Sequence, residues 1–142
     1  MARRRWRGSA RGEAGAVGAL AAPDADARGR PTRLGVRTGA GVVMVEIDDI
    51  DWIEACGDYL RVYAGVGRYL IGGSMQRLER LLDPRAFGRI HRSLIVNLKR
   101  VRELHRDADG GGAIVTKDGV RLRVARGRWE ALEAALGIAH LP

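Results

Sequence analysis

From Leu34 onward the chain alternates apolar and polar positions in short runs separated by turn residues, the pattern of a mostly β domain built from small antiparallel sheets. Leu34 and Val36 alternate with Gly35 and Arg37. Residues 39–41 supply a turn and residues 42–47 are rich in β-branched side chains, so two strands are expected. Residues 52–56 and 59–63 alternate on either side of the turn dipeptide Gly57-Asp58, which is a hairpin pattern, and residues 68–71 close a three-stranded meander. Ser74 can then cap a helix whose Met75, Leu78, Leu81 and Leu82 form one apolar stripe, and Asp83-Pro84 stops it. Near the C-terminus, residues 113–116 and 120–124 read as a hairpin about Gly119. Residues 129–136 read as a last short helix ended by Gly137.

Residues 87–101, F-G-R-I-H-R-S-L-I-V-N-L-K-R-V, set His91, Arg92, Ser93 and Asn97 among Ile90, Leu94, Ile95, Val96 and Leu98. A helix would align Ile90, Leu94, Leu98 and Val101, whereas strand alternation fits only residues 89–92. The expectation is a short strand running into a turn or short helix. By itself, a histidine beside an apolar run is commonly a hydrogen-bonded structural residue. Here a hydroxyl, an amide and the cations Arg89, Arg92, Lys99 and Arg100 accompany it, the donor set that DNA phosphates and base edges require.

Charge sharpens this picture. The 142 residues carry 25 Lys and Arg against 17 Asp and Glu, a net charge of +8, which favours a polyanionic partner without choosing among DNA, RNA and an anionic membrane. The charge is segregated: residues 85–128 hold twelve Lys and Arg and four acids, while residues 46–58 hold six acids and no base. Such asymmetry points to one binding face. Residues 1–33 are rich in Arg, Gly and Ala, with few large apolar side chains, and read as a disordered basic tail. The Ala-rich run over 14–22 is too short and too weakly apolar for export or a membrane span, so a cytoplasmic protein is expected. The expected organisation is a tail over 1–33, one domain over 34–137 and a C-terminal tail over 138–142.

Three blocks, S-M-Q-R-L-E-R-L-L (74–82), D-P-R-A-F (83–87) and H-R-S-L-I-V-N (91–97), resemble the LytTR family of bacterial DNA-binding domains. The resemblance extends to I-D-W-I-E-A-C-G-D-Y-L (50–60) and K-D-G-V-R-L-R-V-A-R (117–126), nearly the whole domain. It implies a transcriptional regulator that binds double-stranded DNA sequence-specifically by inserting loops into successive major grooves, with two copies on repeated half-sites. By the same carry-over His91 corresponds to the family's base- or backbone-contacting His and Arg126 to the basic residue ending its S-R motif, both expected to discriminate bases, and the loop at residues 107–112, with Asp109 and Gly110, is a third contact region. Gly and Asp stand there in place of an amide or base-reading side chain, and Ala125 stands where the family often has Ser. Arg89, Arg92, Lys99 and Arg128 are expected on phosphates, with Ser93 and Asn97 completing the DNA-binding set. The family usually joins this domain to a receiver or membrane sensor. With neither expected here, the reading is a stand-alone regulator controlled by expression level, by a partner such as a sensor or the transcription machinery, or by a function of the tail.

Other chemistry fits less well. His91, His105 and His140 offer no zinc-ligand spacing, Cys56 is the only cysteine, and no G-x-S-x-G nucleophile motif occurs, so neither an enzyme nor a metal or organic cofactor is expected. The apolar run ending at Asp48, Asp49 and Asp51 lacks the alternating strands and helices of a phosphoreceiver domain, and these acids are expected in turns and at the surface. Two alternatives stay open: a single-strand or RNA-binding module stacking bases on Trp52, Tyr59, Tyr63 and Tyr69, and a protein-binding adaptor that has lost DNA recognition.

Overall fold

The computed structural model describes residues 26–138; most of the expected basic tail, residues 1–25, and the last four residues lie outside them. Strands β1 (Arg33–Thr38) and β2 (Gly41–Glu46) pair as a separate hairpin. The meander expected over residues 52–71 forms as β3 (Trp52–Cys56), β4 (Tyr59–Ala64) and β5 (Gly67–Gly72). Helix α1 (Met75–Leu81) follows, with the Ser74 hydroxyl accepting the Arg77 backbone N–H at 3.1 Å. Next come β6 (Phe87–His91) and β7 (Leu94–Asn97), then β8 (Val101–Arg106), β9 (Gly112–Thr116), β10 (Arg121–Val124) and α2 (Trp129–Leu136). Gly137, at φ +66°, ends α2.

All strand pairs are antiparallel, in a five-stranded sheet ordered β5-β4-β3-β7-β6 and a three-stranded sheet ordered β10-β9-β8. Two apolar cores lie against the larger sheet. One gathers Ile53, Val62, Ile71 and Ile95 with Leu34 and Val36 of the hairpin and Met75 and Leu78 of α1. The other gathers Leu94 and Val96 with Ile114, Leu122 and Val124 of the smaller sheet and Trp129 and Leu132 of α2. Strand β7 therefore contributes to both cores: Ile95 enters one, Leu94 and Val96 the other. Each such fully buried side chain contributes roughly 1.5–3 kcal/mol, which makes this strand the centre of the domain.

That placement corrects the expectation for residues 87–101. The short strand running into a turn is there as β6, but the turn leads into a second strand, β7, and then a single 3-10 turn (Leu98–Arg100), where a turn or short helix alone was expected. A strand buried on both faces shows no alternation, so its apolar run imitates a helix stripe.

Two polar residues are also corrected. Asn97 is buried, only 1% exposed, and its amide is held by the protein: Nδ2 donates to the Ile50 carbonyl at 2.8 Å and Oδ1 accepts the Lys99 N–H at 3.0 Å. Its amide is therefore committed inside the domain, and this geometry gives no support to the DNA contact expected of it. Asp51 is not a surface acid but a buried one, accepting the Gly65 N–H at 3.0 Å with Arg100 Nε 2.9 Å away.

Candidate nucleic-acid interface

Three connections meet at one end of the domain. The first is the β6–β7 turn. Its strand β6 carries a bulge: Arg89 pairs with Ile95 and His91 with Leu94, so Ile90 is an extra residue in the ladder. The Ile90 carbonyl is thereby turned to accept the Ala125 N–H at 2.8 Å, which fastens the second connection, the β10–α2 junction, beside the first. The third is the β8–β9 loop over residues 107–111. The pairing of Val124 with Gly112 brings it to the same end.

His91 is oriented by its own turn. Its Nδ1 accepts the Ser93 backbone N–H at 3.2 Å and lies 2.9 Å from the Ser93 hydroxyl. With Nδ1 an acceptor, the neutral ring carries its proton on Nε2, the nitrogen left for an outside partner. Partial burial lowers the His91 pKa, and the positive charges of Arg123, Arg92, Arg89 and Arg128 lower it further.

Arg126 is exposed and passes over the β8–β9 loop at Gly110. Arg128 is partly buried beside it, and Arg106 lies over the Trp129 ring at 5.5 Å, at the foot of the loop. None of Arg92, Arg123, Arg126 and Arg128 forms an ion pair with another described residue. An unpaired cluster of cations at one end of a domain is the electrostatic footprint of a polyanion site.

The expected site residues divide accordingly. His91, Arg92, Ser93, Arg126, Arg128, Asp109 and Gly110 come together. Lys99 does not: it follows Asn97 at the far end of β7, where the Lys117 N–H donates to the Arg100 carbonyl. Arg89 is at the right end but its guanidinium is engaged internally. Asp109 accepts the Gly111 N–H at 2.9 Å and so shapes its own loop. Arg123 was not among the expected site residues, yet it lies at this end. The alternation Arg121-Leu122-Arg123-Val124 showed that it faces outward, but only the attachment of β10 to β6 sets it beside His91.

Of the aromatic side chains considered for base stacking, Tyr59 is exposed while the other three are engaged or buried. Trp52 and Tyr63 stack on each other at 3.8 Å with an interplanar angle of 9°, Arg68 sits 5.4 Å from the centre of the Tyr63 ring, and Tyr69 is buried. No group of three His, Cys, Asp or Glu among the described residues could hold a metal ion, and no helix among them is long and apolar enough to cross a membrane.

Residues 40–137 match the family model of the LytTr DNA-binding domain. The chain is 36% identical over 107 residues to the CO-responsive transcriptional regulator RcoM of Rhodospirillum rubrum, covering 75% of this chain and 43% of that protein. It is 32% identical over 92 residues to an uncharacterized response regulatory protein of Vibrio cholerae, covering 62% of this chain and 35% of that one. The chain thus spans less than half the length of these relatives. Its fold is similar to that of a LytTr DNA-binding domain from Bacillus cereus, with a TM-score of 0.68 at 24% identity over 75% of this chain and 98% of the other.

Proposed function

Since this chain belongs to the LytTr family of DNA-binding domains, whose members serve transcriptional regulation and are not catalysts, we propose that it reads duplex DNA sequence-specifically with the three connections at one end of its fold. The observation that carries the proposal is the hydrogen bond from the Ala125 N–H to the Ile90 carbonyl, which puts the connection bearing Arg126 beside the one bearing His91, with Arg92, Arg123 and Arg128 in no ion pair with a described acid. A domain that only held DNA electrostatically would need the charge but not a histidine whose tautomer is fixed by its own turn.

In this reading the β6–β7 turn and the β10–α2 junction enter successive major grooves. That groove, about 12 Å wide, presents a distinct pattern of donors and acceptors for each base pair. The neutral His91 ring donates from Nε2 to a base-edge or phosphate acceptor, and Arg126 makes a bidentate contact with guanine. Arg92, Arg123 and Arg128 bind phosphates, which fix register and make affinity depend on salt. The β8–β9 loop supports Arg126. Two copies on repeated half-sites, inside the cytoplasm where the DNA is, complete the proposal, and the mass of the complex on a selected duplex tests the copy number.

Arg126→Ala is expected to cost about 1–3 kcal/mol on the cognate duplex and to relax specificity, the range for one bidentate guanine contact. Titration of wild type and variant against cognate and unrelated duplexes measures this. An equal loss on both would reduce Arg126 to a phosphate contact.

A further inference from the structure

The sequence groups Arg89 with the phosphate-binding cations, but its side chain is 14% exposed and every arm of the guanidinium is committed. Nε donates to the His91 carbonyl at 3.0 Å, one terminal nitrogen donates to the Arg92 carbonyl at 2.6 Å, and the other donates to Glu79 Oε1 of α1 at 2.7 Å. The first two acceptors are consecutive carbonyls of the turn that carries His91 and Arg92. The planar fork of guanidinium donors reaches both carbonyls at once, which a single ammonium could not do.

We propose that Arg89 and Glu79 form a brace that positions the recognition turn, with Arg89 acting through His91 and Arg92 and not touching DNA itself. This rests on the DNA-reading assignment above. The brace crosses from α1 to the turn, so the helix next to the first core sets the pose of residues that face the ligand. Glu79 has a counterintuitive part in this. An acid near a DNA-binding face opposes phosphate by simple electrostatics, yet here its carboxylate fixes the guanidinium that holds the turn.

Lysine at position 89 keeps the charge but replaces the fork with a single ammonium, which cannot reach both carbonyls and Glu79 in the same geometry. Arg89→Lys is therefore expected to weaken binding to a selected cognate duplex by about tenfold or more, the equivalent of losing charge-assisted hydrogen bonds. Its binding to unrelated duplex and its salt slope should stay as in wild type. A phosphate contact predicts the reverse: Lys substitutes with little loss, and Arg89→Ala lowers the salt slope by about one on every sequence. Glu79→Gln separates the two by sign, because the brace predicts weaker cognate binding while removal of a negative charge alone predicts tighter binding.

A second readout needs no DNA. Amide hydrogen exchange at Ser93, whose N–H is held by His91 Nδ1, should accelerate in Arg89→Lys while the buried amides of Ile53 and Val62 keep the wild-type rate. Unchanged exchange at Ser93 together with wild-type cognate affinity in both variants would overturn the brace. Faster Ser93 exchange in a protein whose wild type selects no duplex would uphold the brace and overturn the DNA-reading assignment instead.

Discussion

The side chain of Arg126 lies across Gly110, so close that a Cβ at position 110 would stand 3.0 Å from Nε and 3.1 Å from Cγ. Gly110 also has φ +99°, a conformation that side chains disfavour. Under the proposed function this loop serves as the seat of Arg126, and the glycine found there in place of a base-reading side chain leaves room for that side chain. Gly110→Ala is expected to destabilise the fold by about 1 kcal/mol through the backbone and to displace Arg126. In a duplex titration its cognate affinity should fall with little change on unrelated DNA. Wild-type cognate affinity in Gly110→Ala would show that Arg126 does not depend on this seat.

His91 gives a pH dependence of defined sign. Its pKa in the folded domain is lowered, by burial first and then by Arg123, Arg92, Arg89 and Arg128. The unfolded chain therefore takes up a proton at higher pH than the fold does. The stability contributed by neutral His91 is fully present above about pH 6.5 and is lost as pH falls through the folded-state pKa. On going from pH 7.5 to pH 5, the thermal midpoint of wild type should drop further than that of His91→Gln. Comparing the variant with wild type cancels the response of the exposed Glu103 and His105 pair. Parallel curves would mean that His91 titrates normally.

Asn97 should behave as a structural residue. Asn97→Ala removes the bonds to the Ile50 carbonyl and the Lys99 N–H in a buried site, at an expected cost of about 1–3 kcal/mol. Chemical denaturation measures this. The salt slope of DNA binding should be that of wild type, and a slope lowered by about one would return Asn97 to the contact set.

The cations can be sorted in the same way. Arg123→Ala and Arg128→Ala should each weaken binding on all duplexes and lower the salt slope by about one, whereas Lys99→Ala, at the far end of β7, should leave the slope unchanged. A slope lowered by Lys99→Ala would mean that DNA reaches along the domain to that end.

Where one face of an element meets water, the sequence made it readable. The meander, the Ser74 cap and the last helix followed from alternation, turn dipeptides and a helix stripe, because a half-buried strand or helix must write its period into the chain. Strand β7 was not readable, since burial on both faces erases that period. Polar side chains were misread for a related reason. Asn97 and Asp51 look like surface or ligand groups in a sequence, yet they satisfy backbone groups of distant segments, such as the Ile50 carbonyl and the Gly65 N–H. Arg89 and Arg123 exchange roles once β6 is seen to bulge and bond to Ala125: the first turns inward to the recognition turn, and the second stands beside His91. His91 and Arg126 were singled out through the motifs that resemble the LytTR family, and what the structure adds is the local setting of each: the Ser93 N–H on His91 Nδ1 and Gly110 beneath Arg126.

Selection from a random duplex pool at about physiological salt, with wild type and Arg126→Ala run in parallel, tests the central claim most directly. The account predicts that wild type enriches a defined motif, repeated at a fixed spacing, and that Arg126→Ala enriches none or a degenerate form of it. Salt-sensitive binding of every pool by both proteins, with no motif enriched, would contradict sequence-specific reading and leave a domain that holds DNA by charge alone or serves as a protein-binding adaptor.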